Sequence, residues 1–457
     1  MSTAAKKRSS RGATKVASRA AATESSDRKS SASRALSNKF SSKHVTVRMY
    51  NVGFGDSFLL VFPAKDRPRK VLIDCGVHVS GANPKASIGA IVKRIVADVT
   101  EPGGPRIDLV ICTHRHQDHV EGFDNPIWKQ VEVGEVWLPW TENYKDPEAR
   151  KILEAQSSKA KKLNLVLEKM IAAPARFGLG AAKVSDLRML KAFSENSLSN
   201  SEAMATLHEG FKGGKEIPRR YLPDEVRSLN SFEPATLPGV TAHILGPSRD
   251  PDVIRDLNPS AGEQWLRLME SMSSSDYEAH RPFHQDWAKT GAQYDPNRTV
   301  LSAADLKNIE KVGEGTEFNV AVQLEDAING TSLMIIFEMG KACLFFPGDA
   351  QNGTWKAALK DPEWRELMKK ADFYKIGHHG SHNATPKEFV FDVLKQGFKA
   401  MASVRSIKAF KFIPKFELMT ALKEKPGKVA RSDMPAEDPR GFTRDASDFC
   451  VETKIPI

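Results

Sequence analysis

From His44 onward the chain alternates short apolar runs with turn residues. VTVRMYNV (45–52) and SFLLVF (57–62) are strand-like and joined by the turn GFGD, and RKVLIDCG (69–76) is a third strand running into a turn. Ser87 to Val99 places Ile88, Ile91, Ile95, Val96 and Val99 at helical spacing, which predicts a helix packed on that sheet. IDLVICT (107–113) is a short apolar run suited to a buried strand. After EVWLPW (135–140) the pattern changes, and Lys145 to about Arg220 is rich in Ala, Lys, Glu and Leu with few strand signals, so it reads as an inserted helical segment. GVTAHILGPSRDP (239–251) is strand then turn, and 252 to about 312 is again polar and helical. Strands return at FNVAVQLE (318–325), TSLMIIFE (331–338) and KACLFFPGDA (341–350), the last two forming a hairpin around Met339 and Gly340. DFYKIGHHGS (372–381) and KAMASV (399–404) follow, with helices expected at 353–370 and 386–396. Two strand blocks, each with helices, predict an α/β fold of the αββα sandwich type. It occupies 44–457, carries insertions at about 141–235 and 252–312, and shows no repeat of fixed period.

Charge changes the picture only at one end. Residues 1–44 hold 11 Lys and Arg against Glu24 and Asp27, so the other 413 residues contribute about +1 of the net +10. The tail, residues 1–43, is mostly Ser, Ala, Lys and Arg and is expected to be disordered, because it has too little apolar surface to bury. Contact with nucleic acid or another anionic partner, and a role as a transit peptide, are its other readings. No apolar run reaches membrane-span length and the N-terminus lacks a secretory signal's core, so no membrane partner is expected. Cys75, Cys112, Cys343 and Cys450 lie far apart, which favours a reducing, cytoplasmic setting with buried thiols over disulfides or a cysteine zinc site.

The chemistry concentrates in ICTHRHQDHVEGF (111–123). His114 and His116, two residues apart in extended or turning backbone, present their imidazoles to one point, while Asp118 and His119 face a second point nearby. A lone histidine after a strand is usually structural. Three histidines and an aspartate within six positions at the end of an apolar strand indicate two adjacent cation sites. Imidazole and carboxylate without thiolate suit catalytic zinc. Two further strand ends offer ligands: Asp349 in FPGDA, placed to bridge two ions, and His378 and His379 in GHHGSHNAT.

HRHQDH matches the HxHxDH signature of the metallo-β-lactamase superfamily. LIDCG, FPGDA and GHHGS resemble its other motifs, in order, over roughly 45–410. The resemblance implies that Asp74 orients the metal loop and that Asp349 bridges two divalent ions, zinc foremost and manganese as the alternative. Within the superfamily, NVGFGDSFLL followed by LIDCG, FFPGDA and KIGHHGS is similar to the soluble hydrolase domain of ComEC-type DNA-uptake proteins and its free-standing relatives. Asn329 stands where many members carry a further histidine, which leaves the first metal two imidazoles and the bridging carboxylate. That site is then weaker or prefers manganese, and His243 is the candidate substitute. Gln117 has no assigned role.

The implied chemistry is hydrolysis by a metal-bridging hydroxide. Asp118 ligates the second metal and steers the hydroxide's proton, with His119 and Asp349 beside it. His379 is the favoured ligand of its pair, and His378 faces the substrate as a donor. Ser381 is either a donor to phosphate or to the carboxylates, or a plain turn serine. The ComEC-like resemblance implies a phosphodiester substrate, including nucleic acid. The near-neutral folded part opposes a long polyanion groove, although KAKK (159–162), IPRR (217–220) and especially KAFKFIPK (408–415) are basic stretches. That last stretch lacks the histidine the ComEC-like pattern usually has there. Hydrolysis of another ester, thioester, lactone or β-lactam, and a non-catalytic binding or regulatory role, are the alternatives. The helical insertions are expected to form a lid or side wall over the metals.

Overall fold

The computed structural model describes residues 43–256 and 327–457, apart from 79–80, parts of 178–199, 382, 384 and 406–412. The basic tail, most of the second insertion, the strand expected at 318–325 and most of KAFKFIPK lie outside the described residues.

Two sheets face each other. The first contains β1 (His44–Tyr50), β2 (Phe58–Phe62), β3 (Arg69–Ile73), β4 (Thr100–Glu101), β5 (Gly104–Ile111), β6 (Glu132–Pro139), β7 (Arg219–Leu222), β15 (Phe442–Arg444) and β16 (Cys450–Pro456). Its order is β15-β16-β1-β2-β3-β5-β6-β7, with β4 paired to β5. The second contains β8 (Ser231–Phe232), β9 (Thr241–Gly246), β10 (Met334–Met339), β11 (Ala342–Phe346), β12 (Phe373–Lys375), β13 (Lys399–Ala402) and β14 (Lys428–Arg431), in the order β14-β13-β12-β11-β10-β9-β8.

The unbroken apolar runs are strands buried on both faces. Phe58, Leu60 and Phe62 of β2 enter the core between the sheets, while Leu59 and Val61 pack on the outer face. Ile335 and Phe337 of β10 likewise point between the sheets, and Met334 and Ile336 point outward. Each such side chain contributes about 1.5–3 kcal/mol by burial. The expected helix at 87–99 is α1 (Ile88–Val99), capped by Ser87, and it covers the outer face of the first sheet through Ile91, Val92 and Ile95. The outer face of the second is covered by α6 (Asn352–Lys360), α7 (Pro362–Lys369) and α8 (Phe416–Glu424). The layering is therefore αββα.

The helix expected at 353–370 is two helices. Pro362 lacks an N–H to continue α6, and Asp361 accepts hydrogen bonds from Glu363 N and Trp364 N to start α7. The helix expected at 386–396 shrinks to one wide turn, Phe389–Val393. In the first insertion, α3 (Pro147–Ala172) is a long helix, and α4 (Ser201–Ala205) is a short one. Beyond β9 the chain forms α5 (Pro251–Arg255). Among the described residues no helix is long and apolar enough to cross a membrane, and all four cysteines are buried and unbridged.

Candidate metal centre

Parallel pairing aligns the strand ends that carry the site. β3 and β5 run parallel, so the segments after Ile73 and Ile111 emerge side by side. Asp74 follows β3 in a left-handed conformation (φ 56°), and its carboxylate accepts from Thr113 N and Thr113 Oγ1, both at 2.7 Å. It also lies 2.8 Å from His119 Nδ1. That contact fixes the ring and leaves Nε2 aimed inward, as a metal-ligating histidine requires. Gly76 permits this closeness, because a Cβ there would meet His119 N at 2.4 Å.

The loop after β5 turns into α2 (Gln117–Val120), which places Asp118 and His119 in its single turn. His119 Nε2 lies 3.1 Å from Asp349 Oδ2 and 3.9 Å from Asp118 Oδ2. His114 Nε2 lies 3.1 Å from His116 Nδ1, so those two imidazoles do converge.

The second sheet supplies the remainder. β11 and β12 are parallel, and they deliver Asp349 and the His378–His379 pair to the same edge. His379 Nδ1 donates to Ser403 O at 2.7 Å, which aims Nε2 at Asp118 Oδ2, 3.1 Å away. His378 and His379 both hold positive φ (44° and 52°). Such strain in non-glycine residues persists where surrounding structure fixes a site.

Two groups of donors therefore lie within 4.8 Å: His114, His119 and Asp349, and Asp118, His119 and His379. They are not the two separate points expected from spacing, because His119 belongs to both. A third group, Asp56, Asp74 and His119, surrounds His119 Nδ1 and orients the ring. All the donors are buried. The donor set fits divalent metal on chemical grounds: among the described residues, imidazole nitrogens and carboxylate oxygens converge without thiolate, and Asp118 Oδ1 is buried with no hydrogen-bond partner.

The electrostatics agree. Burial alone lowers the His119 pKa, but the Asp349, Asp74 and Asp118 carboxylates raise it well above the usual histidine value. Burial would raise the carboxyls of Asp118 and Asp349, yet His119 and His379 hold the first well down, and Lys375 and His119 the second. Without metal, a proton on His119 partly offsets the clustered negative charge. Burial, together with His119 and His116, pushes His114 well down. Burial also brings His116 to about 4, so both rings are neutral and able to ligate at neutral pH.

Two expected residues behave differently. Ser381 Oγ donates to Asn383 Oδ1 (2.7 Å) and lies 2.8 Å from His378 Nδ1, so it holds His378 instead of facing a substrate. His378 Nδ1 is then the protonated nitrogen, and Nε2 accepts from Asn329 Nδ2 at 3.3 Å. Asn329 thus sits beside His378. His243 does not replace the missing histidine, because its Nδ1 and Nε2 are taken by Ser231 (2.9 Å) and Glu338 (3.0 Å).

Sequence reasoning missed Asp56 and Lys375. Lys375 Nζ is ion-paired with Asp56 and lies 2.9 Å from Asp349 Oδ1, with both side chains at most 3% exposed. Asp56 lay hidden in a turn pattern. Lys375 carried a signal, a cation inside the apolar strand run DFYKI.

The architecture is an α/β sandwich of the αββα type with its candidate ligand loops at one edge. Among solved structures the chain is similar to zinc-bound PqqB from Methylobacterium extorquens, with 11% identity, a TM-score of 0.34, and coverage of 82% of this chain and 85% of that one. That likeness is too shallow to transfer chemistry. No protein-family model and no curated protein matches the sequence.

Because Asp74 fixes His119 from behind, Asp74→Asn is expected to weaken metal affinity about 10–100-fold while leaving the fold intact. Competition with a chromogenic chelator measures this, and unchanged affinity would remove Asp74 from the orienting role.

Proposed function

We propose that this chain is a binuclear metal-dependent hydrolase acting on phosphodiesters. The observation that carries it is the convergence of His114, His119, Asp349, Asp118 and His379 from both sheets, with His119 Nε2 shared between two donor groups. His114, His116 and Asp349 would hold one divalent ion, and Asp118, His119, His379 and Asp349 the other, zinc or manganese by donor type. When bound, such a pair supplies Lewis acidity that makes water nucleophilic at neutral pH and offsets charge on phosphoryl oxygens.

This chain's own residues supply position and proton handling. Asp118 Oδ1, which has no hydrogen-bond partner among the described residues, would accept a proton from the attacking water. The oxygen of that water bonds to phosphorus as the bond to the leaving oxygen breaks, and one proton ends on the leaving group. Lys375 and the His378 N–H hold Asp349 Oδ1 at 2.9 Å each, turning Oδ2 towards the imidazoles. His378 Nε2 accepts from Asn329 Nδ2 at the edge of the cluster, a bond that orients the ring beside the ligands. The ComEC-like motif series supports phosphodiesters over other esters, and the buried, free thiols fit a reducing cytoplasmic compartment.

The test is metal content followed by turnover. The purified chain is expected to hold about two ions and to hydrolyse bis-p-nitrophenyl phosphate, with His116→Ala losing about 10²-fold or more in kcat/KM. Absence of bound metal would favour a binding role, and metal without phosphodiester turnover would favour another ester.

A further inference from the structure

Beside the metal loop lies a cleft of about 1280 Å³ that the hydrolytic reading leaves unused. It is above the roughly 300–1,000 Å³ usual for small-ligand sites. Its position follows from topology. β5 and β6 are parallel neighbours, so the turn after β6 emerges next to the loop carrying the ligands. Arg115, between His114 and His116, forms one wall, and its main-chain carbonyl accepts from Asn200 in the first insertion. The Arg115 guanidinium is held by Glu142 at 3.1 Å and by the Tyr144 hydroxyl.

The aromatic part of the lining adjoins Arg115. Tyr144 lies against His208 with ring centroids 5.1 Å apart, and His208 lies against Tyr221 at 6.1 Å and 29°. Tyr144 is 52% exposed, a large aromatic ring offered at the cleft. His208 Nδ1 pairs with the Tyr221 hydroxyl at 3.1 Å, while its buried Nε2 has no hydrogen-bond partner among the described residues. Burial, then Arg115 and Arg219, brings His208 to about 4, so the ring is neutral at pH 7.

The charges in the cleft are mixed. Lys129, Lys145, Lys215 and Arg219 are interleaved with Asp124, Glu202, Glu209 and Glu216. That is not the basic track of a polyanion groove. Stacking surface and balanced charge suit a single heteroaromatic base better than a strand.

Resting on the phosphodiesterase reading, we propose that this cleft takes the nucleoside part of a small nucleotide phosphodiester, with Tyr144 stacking on the base, while the phosphate sits at the metal centre. The insertion then acts as a specificity wall.

The experiment compares two esters with the same leaving group on the metal-loaded full chain: the p-nitrophenyl ester of thymidine 5′-monophosphate, and methyl p-nitrophenyl phosphate. The expected result is a preference for the nucleoside ester of about tenfold or more in kcat/KM. Tyr144→Ala should collapse that ratio towards one through KM, and Tyr144→Phe should retain it, since base stacking is worth about 1–3 kcal/mol. Tyr144 is half-exposed, so Tyr144→Ala is expected to leave the chain folded, which circular dichroism of the variant checks. Lack of preference in the wild type, or a ratio unmoved by Tyr144→Ala, overturns the proposal while phosphodiester hydrolysis stands. Single-stranded DNA turned over better than the nucleoside ester overturns the small-substrate assignment. If neither ester is hydrolysed, the phosphodiesterase reading fails, and calorimetry with thymidine 5′-monophosphate decides the cleft alone. Binding weakened about tenfold by Tyr144→Ala supports it, and lack of binding, or binding unmoved by the substitution, sinks it.

Discussion

Asp349→Ala is expected to lower bis-p-nitrophenyl phosphate turnover by about 10³-fold, or ~4 kcal/mol in barrier, and to reduce bound metal to one ion or fewer. The size follows from where the carboxylate stands. Oδ2 lies 3.1 Å from His119 Nε2 and 4.0 Å from His379 Nε2, between histidines delivered by different sheets. Other candidate ligands from the second sheet reach the cluster through the His378–His379 turn, and His378 N itself bonds Asp349 Oδ1. Alanine therefore removes a ligand and an anchor of that turn together. Elemental analysis and steady-state kinetics on the same preparation check the result. Two retained ions with near-normal kcat would show that Asp349 does not bridge.

The second large effect is on stability. Lys375 lies between Asp56 and Asp349, all three nearly inaccessible to water. Removing one partner of a buried ionic group leaves uncompensated charge and typically costs about 3–5 kcal/mol. Lys375→Met is expected to destabilise the metal-free protein by about that much in denaturant unfolding. Divalent ions bound to Asp349 would take over part of the compensation, so the deficit should narrow when the protein is loaded. An equal loss in both forms would show that Lys375 stabilises the sheet independently of the site.

Much of this was legible in the chain. The two-face burial of strands such as SFLLVF and ACLFF shows as unbroken apolar runs, and the ligand residues stand at the ends of those runs, where a layered α/β fold exposes them. What spacing cannot convey is convergence. His119 was assigned to the second of two points, yet its Nε2 serves both groups, because α2 turns it back over His114. Ser381 was ambiguous for a related reason: a serine two residues after a histidine pair has many partners, and the left-handed turn at His378–His379 selects one. The C-terminal strands went unread. CVETKIP mixes polar and apolar residues because β16 is antiparallel to β1, and Glu452 bonds the buried Arg48 at 2.7 Å. A buried arginine in a strand signals such a partner without saying where in the chain it lies.

The donors of the cluster come from opposite slabs of the sandwich, with Asp349 and His379 on one and His114 to His119 on the other. Their spacing is set by how Phe58 and Phe346, 5.7 Å apart between the sheets, and their neighbours interlock. The core is thus also the gauge that sets the bite of the ligands. Loosening it by a methylene far from any histidine is expected to alter affinity for cations as well as the melting of the protein.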